Sequence, residues 1–529
     1  MQKDRRILRK VWHLPPILAK SFLQKSLPIR IGAVGASVFL AVGSVFGIGL
    51  LVHDGSSAPT KTQVSHYKAP HTTSSNIATK QTASVNSATP SGGPVASVSK
   101  PATGSVSSTG VSQKTNGQPS GGTTAGTGNS SSANPLTSLP LIPWEGGPAY
   151  WSQFPITKAA GWTNPNFFPF GIWFNGISSN AQAQFGKSYG INTYFGMDPA
   201  ADYNLFANNG IYILEPLNNT PAGATAQPGD FLGDELDGKA SSLSQALSDV
   251  QNAVAASGND GRFNYFNFTQ IVVGNYGSNN NNLSGQIVDA YPGPASVDNY
   301  WYTMPNCTGT PSFNFSMIPI DAAHCRTASS YGVTTKALRA RNVAGGGPLK
   351  PIWNFVENLS GAPDANSFYA YIAPGQLEGA TMSSVINEAR GIFYFNQSFA
   401  GSCTGGSILS EVEYGTLPCA APQMSAMRHV DSVINSLAPV INTQSYQYTF
   451  GSNLNTMLKW YAGSAYIFAM ISGDASSEPG ARTFTLPSGL AGASSVTVLN
   501  ENRTMPVGNG TFTDNFAAEY TYHIYKVTP

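Results

Sequence analysis

Two glutamates stand where acid–base chemistry is possible. Glu235 lies in GDELDG (233–238) and Glu357 in WNFVEN (353–358), each at the end of a short apolar run. Cleaving a glycosidic bond needs two carboxylates flanking it, one as acid and one as nucleophile or base. Carboxyls ~5–5.5 Å apart give retention, and ~6.5–9.5 Å gives inversion. Asp234, beside Glu235, would raise the Glu235 pKa by like charge, which suits an acid that must hold its proton near neutral pH. The plainer reading of Glu235 is a charge-paired loop residue.

Trp173, Asn192, Tyr194, Asp298, Tyr300, Tyr302 and Asn396 stand on or near other strand ends and are candidates for substrate binding. Aromatic faces cover sugar rings, and amides and acids bond hydroxyls. Core packing is the competing reading for Trp173, Tyr194, Tyr300 and Trp301, and turn formation for the asparagines. Glu215 and Asp298 are reserve carboxylates. The seven His are scattered, with no HExxH and no CxxC, so no metal is expected. No GxxxxGK[ST] loop is present. No organic cofactor is expected either.

The elements that must position these residues begin near residue 141. The runs 167–174, 190–197, 210–216, 230–236, 268–276, 296–303, 351–357 and 391–399 read as eight strands. Helical stretches at 199–209, 240–257, 375–390 and 422–441 alternate with them. Apolar strands alternating with helices imply a parallel sheet under helices, and eight units fit an α/β class (β/α)₈ TIM barrel over 141–442. A doubly wound sheet is the rival, but GIWFNG after the first run is no phosphate-binding turn. From 443 to 529 alternating runs (460–473, 481–488, 494–507, 510–527) predict a C-terminal antiparallel β-sandwich. Local disulfides, Cys307–Cys325 and Cys403–Cys419, are the favoured pairing of the four Cys among three connectivities.

Charge is sorted along the chain. Residues 1–53 hold eight basic residues and one acidic, +7; residues 54–140 come to +4; residues 141–529 hold fifteen basic and twenty-five acidic, −10. The acidic body argues against nucleic acid as a partner. Residues 31–52 are 22 uncharged residues, long enough at 1.5 Å per residue for a hydrocarbon core of ~30 Å. With the basic charge before them, they predict a single-pass anchor. Segment 1–30 would be cytoplasmic and the C-terminal part outside the cell. Secretion after signal-peptide cleavage is the alternative. Residues 53–140 are rich in Ser, Thr, Gly, Ala and Pro and read as a disordered linker.

GDELDG and WNFVEN resemble the large clan of retaining (β/α)₈-barrel glycoside hydrolases, whose acid/base Glu follows strand four and nucleophile Glu follows strand seven. The tail 500–527 resembles the small β domain that often closes such enzymes, so the likeness covers roughly 160–529. It implies Glu235 as acid/base, Glu357 as nucleophile and a poly- or oligosaccharide as substrate. Asp234 stands where the clan usually has Asn, and the eighth strand, IFYFNQ, lacks a frequent Trp. The competing functions are a non-catalytic carbohydrate-binding or wall-associated protein on the same scaffold, and a structural surface protein.

Overall fold

The computed structural model describes residues 133–274, 280–304, 320, 324–361, 370–399, 401–473 and 478–529. The basic segment, the anchor, the linker through 132 and Cys307 lie outside the described residues. Among the described residues no helix is long and apolar enough to cross a membrane.

Eight parallel strands carry the fold: β1 (Phe170–Trp173), β2 (Thr193–Phe195), β3 (Tyr212–Ile213), β4 (Gly229–Asp234), β5 (Phe263–Phe268), β6 (Ala295–Val297), β7 (Ile352–Glu357) and β8 (Ala389–Phe395). Their order is β3–β2–β1–β8–β7–β6–β5–β4. The Phe231 N–H donates to the Leu214 carbonyl across the two end strands, so the sheet nearly closes into a barrel. Outside it run α1 (Asn180–Ser188), α2 (Tyr203–Asn209), α3 (Leu243–Ser257), α4 (Asn280–Asp289), α5 (Ala328–Gly345), α6 (Pro374–Ile386) and α7 (Ala421–Ser436). Their starts are local chemistry: Ser242 Oγ accepts the Gln245 N–H at 3.2 Å, and Leu243, Ala246 and Val250 then fall on one buried face of α3.

The strand period of two sorts the side chains. On β7, Trp353 and Phe355 join the aromatic cluster that fills the barrel, while Ile352 and Val356 join the core under the helices. On β8, Phe393 points in and Ile392 and Tyr394 point out. The lumen is crowded enough that a Cβ on Gly171 of β1 would lie 1.5 Å from Phe393 Cδ1.

Three expectations are corrected. The fifth strand is Phe263–Phe268, not 268–276; Gln270–Val273 is a helical turn whose N–H groups are taken by Thr269 and Asp237. The run 375–390 is not one helix, because α6 ends at Ile386 and Ala389 and Arg390 already belong to β8. The run 460–473 breaks at Ala462–Gly463, both at positive φ, into a tight hairpin.

The C-terminal region forms β9 (Ser445–Tyr446), β10 (Leu454–Tyr461), β11 (Ser464–Ile471), β12 (Gly480–Thr485), β13 (Ser495–Val498), β14 (Arg503–Pro506), β15 (Thr511–Phe516) and β16 (Tyr522–Val527). Six make one antiparallel sheet, β14–β13–β16–β11–β10–β9, and β12 with β15 makes a ribbon. Along β11, Tyr466, Phe468 and Met470 pack with the barrel's outer core, and Ala465, Ile467, Ala469 and Ile471 with the β domain's own. The β domain also takes in residues ahead of the barrel. Leu136 is fully buried in its core, and Leu141 bridges to Tyr446.

Candidate active site

The inward register of β7 continues from Phe355 to Glu357, which ends the strand at the carboxyl end of the barrel. Glu357 has no exposed surface. Tyr331 of α5 donates its hydroxyl to Oε2 at 2.6 Å, and Thr303 Oγ1 reaches Oε1 at 3.2 Å. Burial pushes the Glu357 carboxyl up to about 7, against the lowering effect of these donors.

Glu235 follows β4 at φ 54, a left-handed backbone that is uncommon for a residue with a Cβ. Its N–H is fixed by the Asn267 carbonyl at 2.9 Å. Lys239 Nζ lies 3.8 Å from Glu235 Oε2 and 3.5 Å from Asp234 Oδ2. Burial first, then the charge of Asp234, raises the Glu235 pKa, and Lys239 opposes them. Asp298, just past β6, hydrogen-bonds Glu235 and is itself held well above the carboxylate range, by burial and then by the charges of Glu235 and Asp234. The pair therefore keeps a proton to higher pH than a free carboxyl would.

Tyr300 relates the two sides. Burial and the charges of Asp298, Asp234, Glu235 and Glu357 together hold its phenol well above the ordinary value, so it remains an O–H donor. Its ring lies 5.0 Å from Phe395. Trp173, half-buried at the end of β1, packs edge-on to Phe195 at 5.1 Å and Phe231 at 5.8 Å. Asp234, Asp298 and Tyr300 thus interact electrostatically with one or both glutamates, and Trp173 ends β1 at the same end of the barrel.

Four expected binding residues are engaged elsewhere, and their assignment is corrected. Asn192 precedes β2, at the opposite end of the barrel. Its side chain is spent on the Phe170 N–H at 3.0 Å and the Phe168 carbonyl at 2.8 Å. Tyr194 points outward and is fully buried in the core under the helices. A Cβ on Gly186 of α1 would come within 2.0 Å of its hydroxyl. Tyr302 is buried and donates its hydroxyl to Glu519 at 2.6 Å. Asn396 is fully buried, accepting the Leu409 N–H at 2.9 Å and donating to Asn175 Oδ1 at 3.2 Å. The reserve carboxylate Glu215 accepts the Met197 N–H at 2.5 Å, a structural tie.

Sequence reasoning missed Tyr331, Thr303 and Asn267. Asn267 donates to Asp234 Oδ1 at 3.1 Å and accepts from Ser296 Oγ at 2.7 Å, which fixes the β4 end against β5 and β6. Its place on the inward register beyond Tyr265 was the available signal. A cavity of about 460 Å³ lies at the other end of the barrel, lined by residues including Trp144, Tyr150 and Gln153, away from the carboxylates. Among the described residues no His/Cys/Asp/Glu group is arranged to hold a metal ion.

The Cys403–Cys419 disulfide is present as expected, closing a loop beyond β8. Cys325 is disulfide-bonded.

No protein-family model matches the chain, and no curated protein matches it. Solved structures similar to it include a glycoside hydrolase at 10% identity and TM-score 0.41, covering 68% of this chain and 92% of that one. A family 51 α-L-arabinofuranosidase from Bifidobacterium longum is similar at 11% identity and TM-score 0.37, covering 69% and 96%. A GH30 endoxylanase from Clostridium papyrosolvens is similar at 10% identity and TM-score 0.36, covering 68% and 96%. All three TM-scores lie below 0.5.

Proposed function

We propose that this protein is a glycoside hydrolase that cleaves poly- or oligosaccharides by a retaining mechanism. Glu235 gives its proton to the glycosidic oxygen as the C1–O bond breaks, and the Glu357 carboxylate attacks C1 to form a glycosyl ester. Water then attacks C1, Glu235 takes its proton, and the Glu357 ester is released. Asp298 shares a hydrogen bond with Glu235 that favours the proton on Asp298, while burial and the Asp234 charge raise the Glu235 pKa and let it act as the acid. Trp173 at the end of β1 and Tyr300 past β6 are the proposed stacking faces for a sugar ring.

The observation that carries the reading is the placement of two carboxyls at the carboxyl ends of parallel strands, Glu235 directly after β4 and Glu357 ending β7. The charges of Asp298, Asp234, Glu235 and Glu357 all raise the Tyr300 phenol, after burial. The N-terminal segment 31–52 is proposed to tether the enzyme to the cell membrane with the barrel outside, secretion after cleavage being the alternative.

One observation favours a second reading, a non-catalytic saccharide-binding protein: Glu357 has no exposed surface, and burial raises its pKa to about 7. Glu235→Gln and Glu357→Gln, assayed on a panel of aryl glycosides, separate the two. Hydrolysis by the wild type that both variants lose supports the enzyme. Wild-type rates in both variants sink the assignment. Saccharide binding without turnover supports the second reading.

A further inference from the structure

The turn after β6 supplies Tyr300, Tyr302 and Thr303, and Thr303 touches Glu357 directly. This turn is held from outside the barrel. Glu519 lies in the loop between β15 and β16 of the β domain. Its Oε1 accepts the Tyr302 hydroxyl at 2.6 Å, and its Oε2 accepts the Ala328 N–H at 2.9 Å. Ala328 is the first residue of α5, so Glu519 satisfies one of the donors a helix leaves open at its start. Tyr331 stands one turn further along α5. Its hydroxyl accepts the Tyr302 N–H at 3.1 Å and donates to Glu357 Oε2 at 2.6 Å. The Tyr302 and Tyr331 rings stack at 5.7 Å. One carboxylate of the second domain therefore clips together the two elements that aim a donor at Glu357.

The geometry points to Glu519 as a positioning residue, by which the β domain sets the orientation and charge state of Glu357 through Tyr302 and Tyr331. This role rests on the proposed catalytic use of Glu357. Without Glu519 the α5 start and the Tyr302 turn lose their common anchor, and the Tyr331 hydroxyl drifts from Glu357. That hydroxyl stabilises the charged carboxylate, so loosening it raises the Glu357 pKa.

Glu519→Ala and Tyr302→Phe in the full chain test this, the second removing only one hydroxyl should the first not fold. Both are expected to lower kcat about tenfold or more with KM within about twofold, since small misplacements at a reacting centre are costly. The acidic limb of the pH profile should move upward in both. A rate loss with an unmoved limb would reduce Glu519 to a structural tie, and unchanged kcat would overturn the proposal. A ¹³C titration of Glu357 in wild type and variants reads the same coupling without turnover. An upward shift in a protein that cleaves no glycoside would sink the hydrolase reading and leave the coupling standing. The absence of a shift overturns the coupling in either case.

Discussion

Tyr331 donates its hydroxyl to Glu357 Oε2 at 2.6 Å, closer than Thr303 Oγ1 comes to Oε1 at 3.2 Å. The two residues come from different layers, Tyr331 from a covering helix and Glu357 from the barrel wall. Tyr331→Phe leaves the ring packing in place and removes the donor. The Glu357 pKa should rise, the acidic limb of the rate profile should follow it, and kcat should fall. Steady-state kinetics from pH 4 to 9 would check this, and an unmoved limb would count against Glu357 as the ionised group.

Lys239 is the cation beside Glu235 and Asp234, and its charge holds the Glu235 pKa down. Lys239→Met keeps the stem and removes the charge. Glu235 should then keep its proton to higher pH, moving the basic limb of the profile upward. The side chains are partly exposed, so high salt should shrink the difference between wild type and variant. A basic limb that moves downward would assign the acid role elsewhere.

Stability should fall as pH rises from about 4.5 to about 7. Burial raises the folded-state pKa of Glu357 and Glu215 from 4.5 to about 7, and of Asp237 from 3.8 to about 7. A carboxyl with a raised folded pKa binds its proton more tightly in the native state. Its contribution is thus fully present below the unfolded value and lost as pH climbs through the folded one. Glu388 runs the other way. Lys459 and Arg390 hold it at about 2, so its contribution is present above 4.5 and lost as pH falls toward 2. The melting temperature should peak in mild acid. A curve that climbs steadily from pH 5 to 7 would contradict the buried carboxyls.

The Cys403–Cys419 bond closes a loop of sequence separation 16 next to the Asn396–Asn175–Ser407 network. Replacing both with Ser should cost about 3 kcal/mol, mostly by freeing the unfolded chain. Denaturant melts would read it. Because the loop packs near β8 and β1, a smaller fall in activity should accompany the loss of stability.

Much of this was legible in the sequence because most barrel strands announce themselves by apolar content and a polar stop. The positions of Glu235 and Glu357 at strand ends could be read from that punctuation. The fifth strand could not, because FNYFNF carries Asn264 on its helix-facing side and Asn267 on its lumen side, while the more apolar QIVV after it is drawn into a helical turn by Asp237. Tyr194 and Trp173 show a second limit. Both are aromatic residues on strands, yet the period of two sends one to the helices and the other to the mouth, and a register error of one residue exchanges them. Tyr331 and Glu519 were invisible for a different reason. Tyr331 sits in a helix buried nearly all round, with no amphipathic stripe to mark an inner face. The Glu519 contact joins residues 217 apart in sequence. Such pairings are made by packing, and no local pattern encodes them.

Leu136 in the β-domain core and the Leu141–Tyr446 bridge give the molecule a load path. Tension arriving along the chain before Ala133 meets the β domain first, through a buried leucine and a strand-like seam, and not the first strand of the barrel. If the N-terminal segment is the proposed tether, a pull on it would reach that seam before β1. Were the proposed tether real, withdrawing Leu136 from the β-domain core would lengthen it before β1 was reached.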